Sequence, residues 1–286
     1  MTPCPADPAR DCEFRSIGEF VDQSGKVGAV EVARCVNCGH GISLPPIPDP
    51  AFLYEDRQSQ DFQPDSRGLA HRIKDIAFRR DAKRLLETVG PCSGQILDFG
   101  CGSGQFTRVL GEVHGIDKVT GADMHTEPPL ELRNRPYAGP AEQAELKQRF
   151  DVVLAMQVLE HDDDANKLLS QISGFARPGG KVVIEVPNIR CPWNLIFGKY
   201  WDAWYIPYHR QHYSRASLVS TLEKGGLKVV AVQPVSIPTM GRTFANMFGQ
   251  KNSLGWLLLG AAAHPLQVLV EKLAGQPTAW RVVTVK

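Results

Sequence analysis

The 286-residue chain has almost no charge of one sign to spare: 32 lysines and arginines meet 31 aspartates and glutamates, for a net +1. That balance excludes an overall field favouring nucleic acid or an anionic membrane and leaves only local patches. The opening residues, MTPCPADPARDCEF, lack the apolar core of a signal peptide. The expectation is therefore cytoplasmic, with the seven cysteines reduced and not paired as disulfides. Long unbroken apolar runs are missing as well. The longest, LGWLLLGAAAHPLQVLV from Leu254, is interrupted by His264, Pro265 and Gln267 and falls short of the roughly 20 residues a bilayer crossing needs. It reads as a helix packed on the core or a self-association surface, with peripheral membrane contact through Trp256 and Leu257 to Leu259 as the alternative. Internal repeats and low-complexity tracts are absent, which sets aside solenoids and disordered arrays.

What is present is enough apolar residue, 43%, for one main core with accessory segments. Residues 1–47 hold four of the cysteines and show little helical periodicity. Residues 48–90 begin in the proline-rich stretch around LPPIPDP and continue into one or two amphipathic helices carrying Leu69, Ile73, Ile76, Ala77, Leu85, Leu86 and Val89 at helical spacing. From residue 91 strand-like and helix-like segments alternate: QILDFG, GQFTRVLGEV, KVTGADM, FDVVLAM, DANKLLSQISGFA, GKVVIEVPN, SRASLVSTLEKGG and LKVVAVQP, with AWRVVTVK last. This alternation predicts an α/β domain over 91–286 with a mostly parallel sheet.

The loop after the first of these strands, DFGCGSG, places Asp98 before Gly100, Gly102 and Gly104. Glycines let backbone approach a ligand closely at the carboxyl end of a strand. The dinucleotide spacing G-x-G-x-x-G fails, because Gln105 and Thr107 stand where a third glycine is required, and no G-K-[ST] follows for a P-loop. A tight structural turn is the plain alternative. An acid some 20 residues beyond the glycines, suited to ribose hydroxyls, is Asp123; its competitor Asp117 reads as part of the preceding turn.

The pattern D-x-G-x-G-x-G, with VTGADM, FDVV, AMQVLEH and the Pro178-Gly179-Gly180 turn in order, resembles the class I S-adenosylmethionine-dependent methyltransferases. The resemblance implies a Rossmann-like seven-stranded, mostly parallel sheet with helices on both faces and an antiparallel last strand. It further implies that Asp98 receives the cofactor's ammonium, that Gly100, Gly102 and Gly104 lie against it, and that Met156 and Gln157 line it. Glu142 or Gln143 would meet the adenine. For Glu160 and His161 beside the acidic run, helix capping is the plain alternative.

An aromatic lid is expected over 191–215, where WDAWYIPYHRQHYS offers His209 or His212 as a base near neutral pH, or else as residues bracing the lid. The P-x-H-x-x-H-Y-S pattern resembles small-molecule methyltransferases of sugar and secondary-metabolite pathways, and the N-terminal C-x-x-C-G resembles their zinc-ribbon-like front end. That implies a structural zinc on Cys4, Cys12, Cys35 and Cys38, with His40 able to replace one ligand. The small-molecule acceptor is expected to be a sugar, a lipid-linked saccharide or a secondary metabolite, with no nucleic-acid partner. RNA methylation and a non-catalytic cofactor-binding scaffold are the alternatives. The segment 235–278 reads as an insertion with no motif, and the sequence leaves the oligomeric state undetermined.

Overall fold

The computed structural model describes residues 2–4, 6–22, 25–47, 50–54, 68–91, 94–251 and 253–286. A hairpin of β1 (Thr2–Cys4) and β2 (Asp7–Cys12) opens the chain. Strands β3 (Phe14–Val21), β4 (Ala29–Cys35) and β5 (Gly41–Leu44) follow as an antiparallel sheet. Next come α1 (Leu69–Val89), β6 (Ile96–Phe99), α2 (Gln105–His114), β7 (Val119–Ala122), β8 (Tyr137–Ala138), α3 (Pro140–Gln143), β9 (Phe150–Met156), α4 (Ala165–Phe175) and β10 (Ala176–Pro187). The remainder is α5 (Pro192–Phe197), β11 (Gln211–His212), α6 (Arg215–Lys224), β12 (Lys228–Val235), α7 (Met240–Met247), α8 (Leu254–Ala274) and β13 (Ala279–Val285).

Seven strands form the central sheet in the order β12-β13-β10-β9-β6-β7-β8. The pairs β10–β9, β9–β6, β6–β7 and β7–β8 are parallel, and β13 is antiparallel to both its neighbours. Strand period places alternate residues on opposite faces. Leu97, Val153, Ala155, Val182 and Ile184 pack with Leu169 and Ile172 of α4 and Leu218 and Leu222 of α6. Ile96, Val152, Leu154 and Val183 pack with Ala82 and Leu85 of α1 and Leu110 of α2. Both faces are therefore covered, which is why these strands read as continuous apolar runs. The Pro178-Gly179-Gly180 turn lies inside β10 as a bulge, the register with β9 jumping between Ala176 and Lys181.

The amino-terminal sheet is closed by a strand from far along the chain. β11 pairs with β5, Gln211 opposite Ile42 and His212 opposite Gly41. Gly41 has no room for a side chain there: a Cβ would stand 2.7 Å from Ile189 Cδ1. Arg210, fully buried, fastens the junction by donating to the Ser43 carbonyl at 2.9 Å, the Pro45 carbonyl at 2.5 Å and the Asp163 carboxylate at 3.2 Å. The expected lid thus shares a sheet with the cysteine-rich front end.

Two segments differ from the sequence expectation. α1 is one helix, yet Leu69, Ile73 and Ile76 on its first half are exposed; only its second half, with Ala82, Leu85 and Val89, meets the sheet. α8 runs unbroken through His264, Pro265 and Gln267 for 21 residues, long and apolar enough by length and composition to cross a membrane. One of its faces is held on the domain. Glu271 accepts from Trp193 Nε1 at 3.0 Å and Ser236 Oγ at 2.6 Å, and Gln267 donates to the Ile237 carbonyl at 2.7 Å. α8 crosses α7 glycine to glycine, where a Cβ on Gly260 would lie 2.5 Å from the Gly241 nitrogen. The opposite face leaves Leu258, Leu259, Leu266, Leu269 and Leu273 exposed.

Candidate active site

The carboxyl ends of β6, β7 and β9 lie side by side, and the glycine loop, Asp123 and the Met156–Gln157 pair leave the sheet there. In an open parallel sheet this edge is where ligands bind. Gly100, Gly102 and Gly104 all have left-handed φ, +76°, +54° and +74°. Glycine is required twice over at the first and third: a Cβ on Gly100 would stand 2.4 Å from Val158 Cγ2, and one on Gly104 2.5 Å from Leu132 Cγ. The loop then enters α2 with Gly104 as the residue before its first turn.

Asp98 lies beneath this loop, 3% exposed, and accepts from the Thr107 hydroxyl at 2.6 Å. Burial pushes its carboxyl up to about 6, a rise that the Thr107 hydroxyl restrains and the nearby Asp123 charge reinforces. Asp123 accepts from the Gly102 backbone N–H and from its own neighbour Met124 N–H, both at 2.8 Å, and so ties the end of β7 to the loop. Burial and these same two carboxylates drive the Cys101 thiol well above its ordinary value. The end of the sheet beside the loop therefore carries repelling negative groups, an environment relieved by a cationic ligand. Asp117 sits exposed in the turn before β7, as expected. Of the adenine candidates, Gln143 is buried and donates to the Asp123 carbonyl at 2.7 Å, whereas Glu142 is exposed.

Met156 ends β9 opposite Glu185, and Gln157 turns into the left-handed region at φ +59°. That conformation is held from both ends: its backbone N–H donates to the Glu185 carbonyl at 2.8 Å and its side-chain amide to the Glu185 carboxylate at 3.0 Å. Glu185 in turn accepts from Arg281 Nε at 2.7 Å, and Arg281 makes a forked contact with Asp81 of α1 at 2.8 and 2.9 Å. A charge chain thus runs from Asp81 of α1 through two strands to Gln157.

One turn beyond Val158, Glu160 and His161 meet the aromatic segment after α5. His209 is buried, with Nδ1 3.0 Å from the Ala203 carbonyl and Nε2 3.8 Å from Glu160 Oε1. Its ring lies edge-on to His161 with centroids 4.8 Å apart, among Tyr205, Tyr208 and Tyr54. Burial, then the neighbouring His161 and His212, lower the His209 basicity well below normal, so it is neutral. His212 is placed differently. It lies in β11 with Nε2 2.9 Å from Ser43 Oγ and its ring edge-on to Trp204, and burial lowers it to about 3. The structure brings His209 to the Glu160 turn and His212 to the sheet junction. The capping expected of the acidic run falls to Asp164, which accepts from the Lys167 N–H at 3.0 Å, while Glu160 is fully buried.

At the front end, Cys12 and Cys35 sulfurs are 2.9 Å apart, and with Cys38 their Sγ atoms lie within 4.8 Å of one another. Burial would raise the Cys35 thiol, but contacts from Cys12 and the Cys38 and Asn37 backbone outweigh it and lower the value. Three converging thiols fit a soft divalent ion. The Cys4 side chain lies outside the described residues. His40 is not a ligand here: its Nε2 is 2.7 Å from Gln211 Oε1 and its Nδ1 3.4 Å from Ser217 Oγ, because the ring braces the β5–β11 junction.

Sheet order, antiparallel β13 and the glycine loop together define a class I S-adenosylmethionine-dependent methyltransferase fold. The chain belongs to the methyltransferase domain family, whose pattern it matches over residues 68–232. It is similar to the ubiquinone biosynthesis O-methyltransferases of Rhodopseudomonas palustris, at 33% identity for strain BisB18 across 41% of this chain and 48% of that protein. For strain TIE-1 identity is 30%, across 54% of this chain and 69% of that protein. The tRNA U34 carboxymethyltransferase of Pseudoalteromonas translucida is 31% identical across 63% and 60%. The chain spans about half the length of the BisB18 protein and 60% of the Pseudoalteromonas one. Among solved structures, the 1,6-didemethyltoxoflavin-N1-methyltransferase of Burkholderia thailandensis, with bound 1,6-didemethyltoxoflavin and S-adenosylhomocysteine, shares the fold with a TM-score of 0.53 at 19% identity, covering 88% of this chain and 97% of that one.

Proposed function

We propose that the protein transfers the methyl group of S-adenosylmethionine to a hydroxyl on a small molecule, a sugar, lipid-linked saccharide or secondary-metabolite intermediate. One observation carries the reading: a loop of three left-handed glycines beside two acids, Asp98 and Asp123, at the carboxyl ends of adjacent parallel strands. When bound, the cofactor supplies an activated methyl carbon. Gly100, Gly102 and Gly104 receive its amino-acid end, Asp98 balances its ammonium, Asp123 turns to the ribose hydroxyls, Gln143 faces the adenine, and Met156 and Gln157 line the methionine side.

Methyl transfer breaks the carbon–sulfur bond with the electron pair returning to sulfur, while the acceptor oxygen forms the new bond to carbon. The protein's work is to hold oxygen and carbon at attack distance and exclude water. An oxygen nucleophile must also lose its proton. His209 is neutral, with Nδ1 facing a carbonyl, so its Nε2 offers the lone pair that accepts it, and Glu160 stands behind it. His212 braces the lid against the front sheet. Cys12, Cys35 and Cys38 would hold a structural zinc.

The relatives named for ubiquinone O-methylation support an oxygen acceptor, and the exposed leucines of α8 support one that is lipid-linked. RNA is the second reading, favoured by the tRNA-modifying relative. Calorimetric titration with S-adenosylmethionine tests the site: the native chain should bind, and Asp98→Ala and Asp123→Ala should bind more weakly. Equal affinity in all three would sink the assignment. Binding to bulk tRNA that weakens steeply with salt would move the acceptor to RNA.

A further inference from the structure

Beside the cofactor loop, Glu160, His161 and His209 form a cluster that cofactor binding leaves unused. A carboxylate oxygen and one ring nitrogen from each histidine lie within 4.8 Å of one another. Glu160 is fully buried, and neither of its side-chain oxygens meets a donor among the described residues. A buried carboxylate without partners is strongly unfavourable, so its retention calls for a cation or a proton. A proton alone does not answer. At 3.8 Å, Glu160 Oε1 and His209 Nε2 are too far apart for a hydrogen bond, yet an ion about 2.1 Å from each fits between them.

Both imidazoles are anchored from behind. Nδ1 of His209 faces the Ala203 carbonyl at 3.0 Å, and Nδ1 of His161 lies 3.1 Å from the Tyr208 carbonyl and 2.8 Å from the Tyr54 hydroxyl. The Ala203 carbonyl only accepts, so it keeps the His209 proton on Nδ1 and the lone pair on Nε2. Metal-ligating histidines are oriented by this kind of outer contact. Two imidazoles and one carboxylate form a donor set for divalent first-row ions that leaves coordination positions open. The set is chemically distinct from the thiol cluster of Cys12, Cys35 and Cys38, which selects softer ions.

We propose that Glu160, His161 and His209 bind a divalent first-row transition metal ion whose open positions take an oxygen of the acceptor. The acceptor half of this statement rests on the methyl-transfer reading; the ion site does not. With the ion in place His209 Nε2 is a ligand and gives up the role of base it has in the ion-free site: the bound hydroxyl becomes more acidic, and the second Glu160 oxygen takes its proton as the carbon–oxygen bond forms.

The probe is Mn2+, which favours nitrogen and oxygen over thiolate. It is titrated into the metal-free full chain and followed by loss of the free-ion electron paramagnetic resonance signal. One Mn2+ per chain is expected, displaced by Zn2+, weakened at least tenfold in Glu160→Gln and in His209→Gln, and unchanged in Cys35→Ser. Thermal unfolding establishes that the variants fold, and Glu160→Gln should be no less stable than the native chain because it removes a buried charge. Absence of Mn2+ binding, binding undiminished in Glu160→Gln, or binding lost in a folded Cys35→Ser overturns the site. S-adenosylmethionine is titrated in parallel: Mn2+ bound with no cofactor affinity upholds the ion site and removes the methyl-transfer reading, while the reverse removes the ion site alone.

Discussion

Replacing Asp98 by asparagine should make the cofactor-free protein more stable and its hold on the cofactor weaker. The carboxyl is 3% exposed and sits at about 6 in the fold against an ordinary 3.8, chiefly through burial, with the Thr107 hydroxyl opposing and the Asp123 charge adding. Because the folded value exceeds the unfolded one, the native state holds the proton more tightly. The stabilisation from that proton is complete below pH 3.8, falls as pH rises and is gone above about 6. Its full size is about 3 kcal/mol. Asparagine keeps an acceptor for Thr107 and has no proton to lose. The stability gained by the variant should therefore be near zero at pH 4 and grow to as much as about 3 kcal/mol at pH 7.5. Chemical denaturation across that range measures it. At pH 7.5 the variant also loses the charged partner for the ammonium, worth about 1.5 to 3 kcal/mol, so calorimetry should find S-adenosylmethionine bound about 10- to 150-fold more weakly. Native affinity should decline below pH 6 as Asp98 takes up its proton. A pH-independent stability difference, together with unchanged affinity, would refute both the burial account and the charge pairing.

Three further outcomes are expected. Gly100→Ala puts a Cβ 2.4 Å from Val158 Cγ2 at φ +76°; about 2 kcal/mol or more of stability and most cofactor affinity should go, with partial recovery in Gly100→Ala/Val158→Ala. Arg281→Met strands Glu185 and should cost about 3 to 5 kcal/mol in urea denaturation, whereas Arg281→Met/Glu185→Leu should recover most of it; a double variant as unstable as the single one contradicts the pairing. On thiol modification native protein should release one zinc per chain to a colorimetric chelator, and Cys35→Ser should show no such thiol-dependent release while the methyltransferase domain still unfolds cooperatively.

Much of the fold was legible because burial on both faces writes itself into sequence as unbroken apolar runs. QILDFG, FDVVLAM and GKVVIEVPN therefore located β6, β9 and β10, and the glycine spacing located the loop where backbone must take left-handed angles. One acid inside such a run carried a less obvious signal. Glu185 stands alone among buried apolar neighbours, and its partner Arg281 lies 96 residues away, a pairing set by two strands becoming neighbours. Helical periodicity misled in α1, where Leu69, Ile73 and Ile76 keep the spacing of a buried face but reach past the sheet that covers the second half.

By itself, then, the chain's order of residues determined the α/β alternation, the glycine loop after β6 and the acids around it, since each depends on local spacing and on backbone angles only glycine adopts readily. Tertiary structure alone decided which histidine meets Glu160, that His40 braces β11 and stays away from the thiols, and that one face of α8 is left bare. The place of His40 depends on β11 crossing to an amino-terminal sheet some 170 residues earlier, with His40 and Gln211 171 apart in sequence. No local pattern encodes a contact whose two halves are joined only by packing.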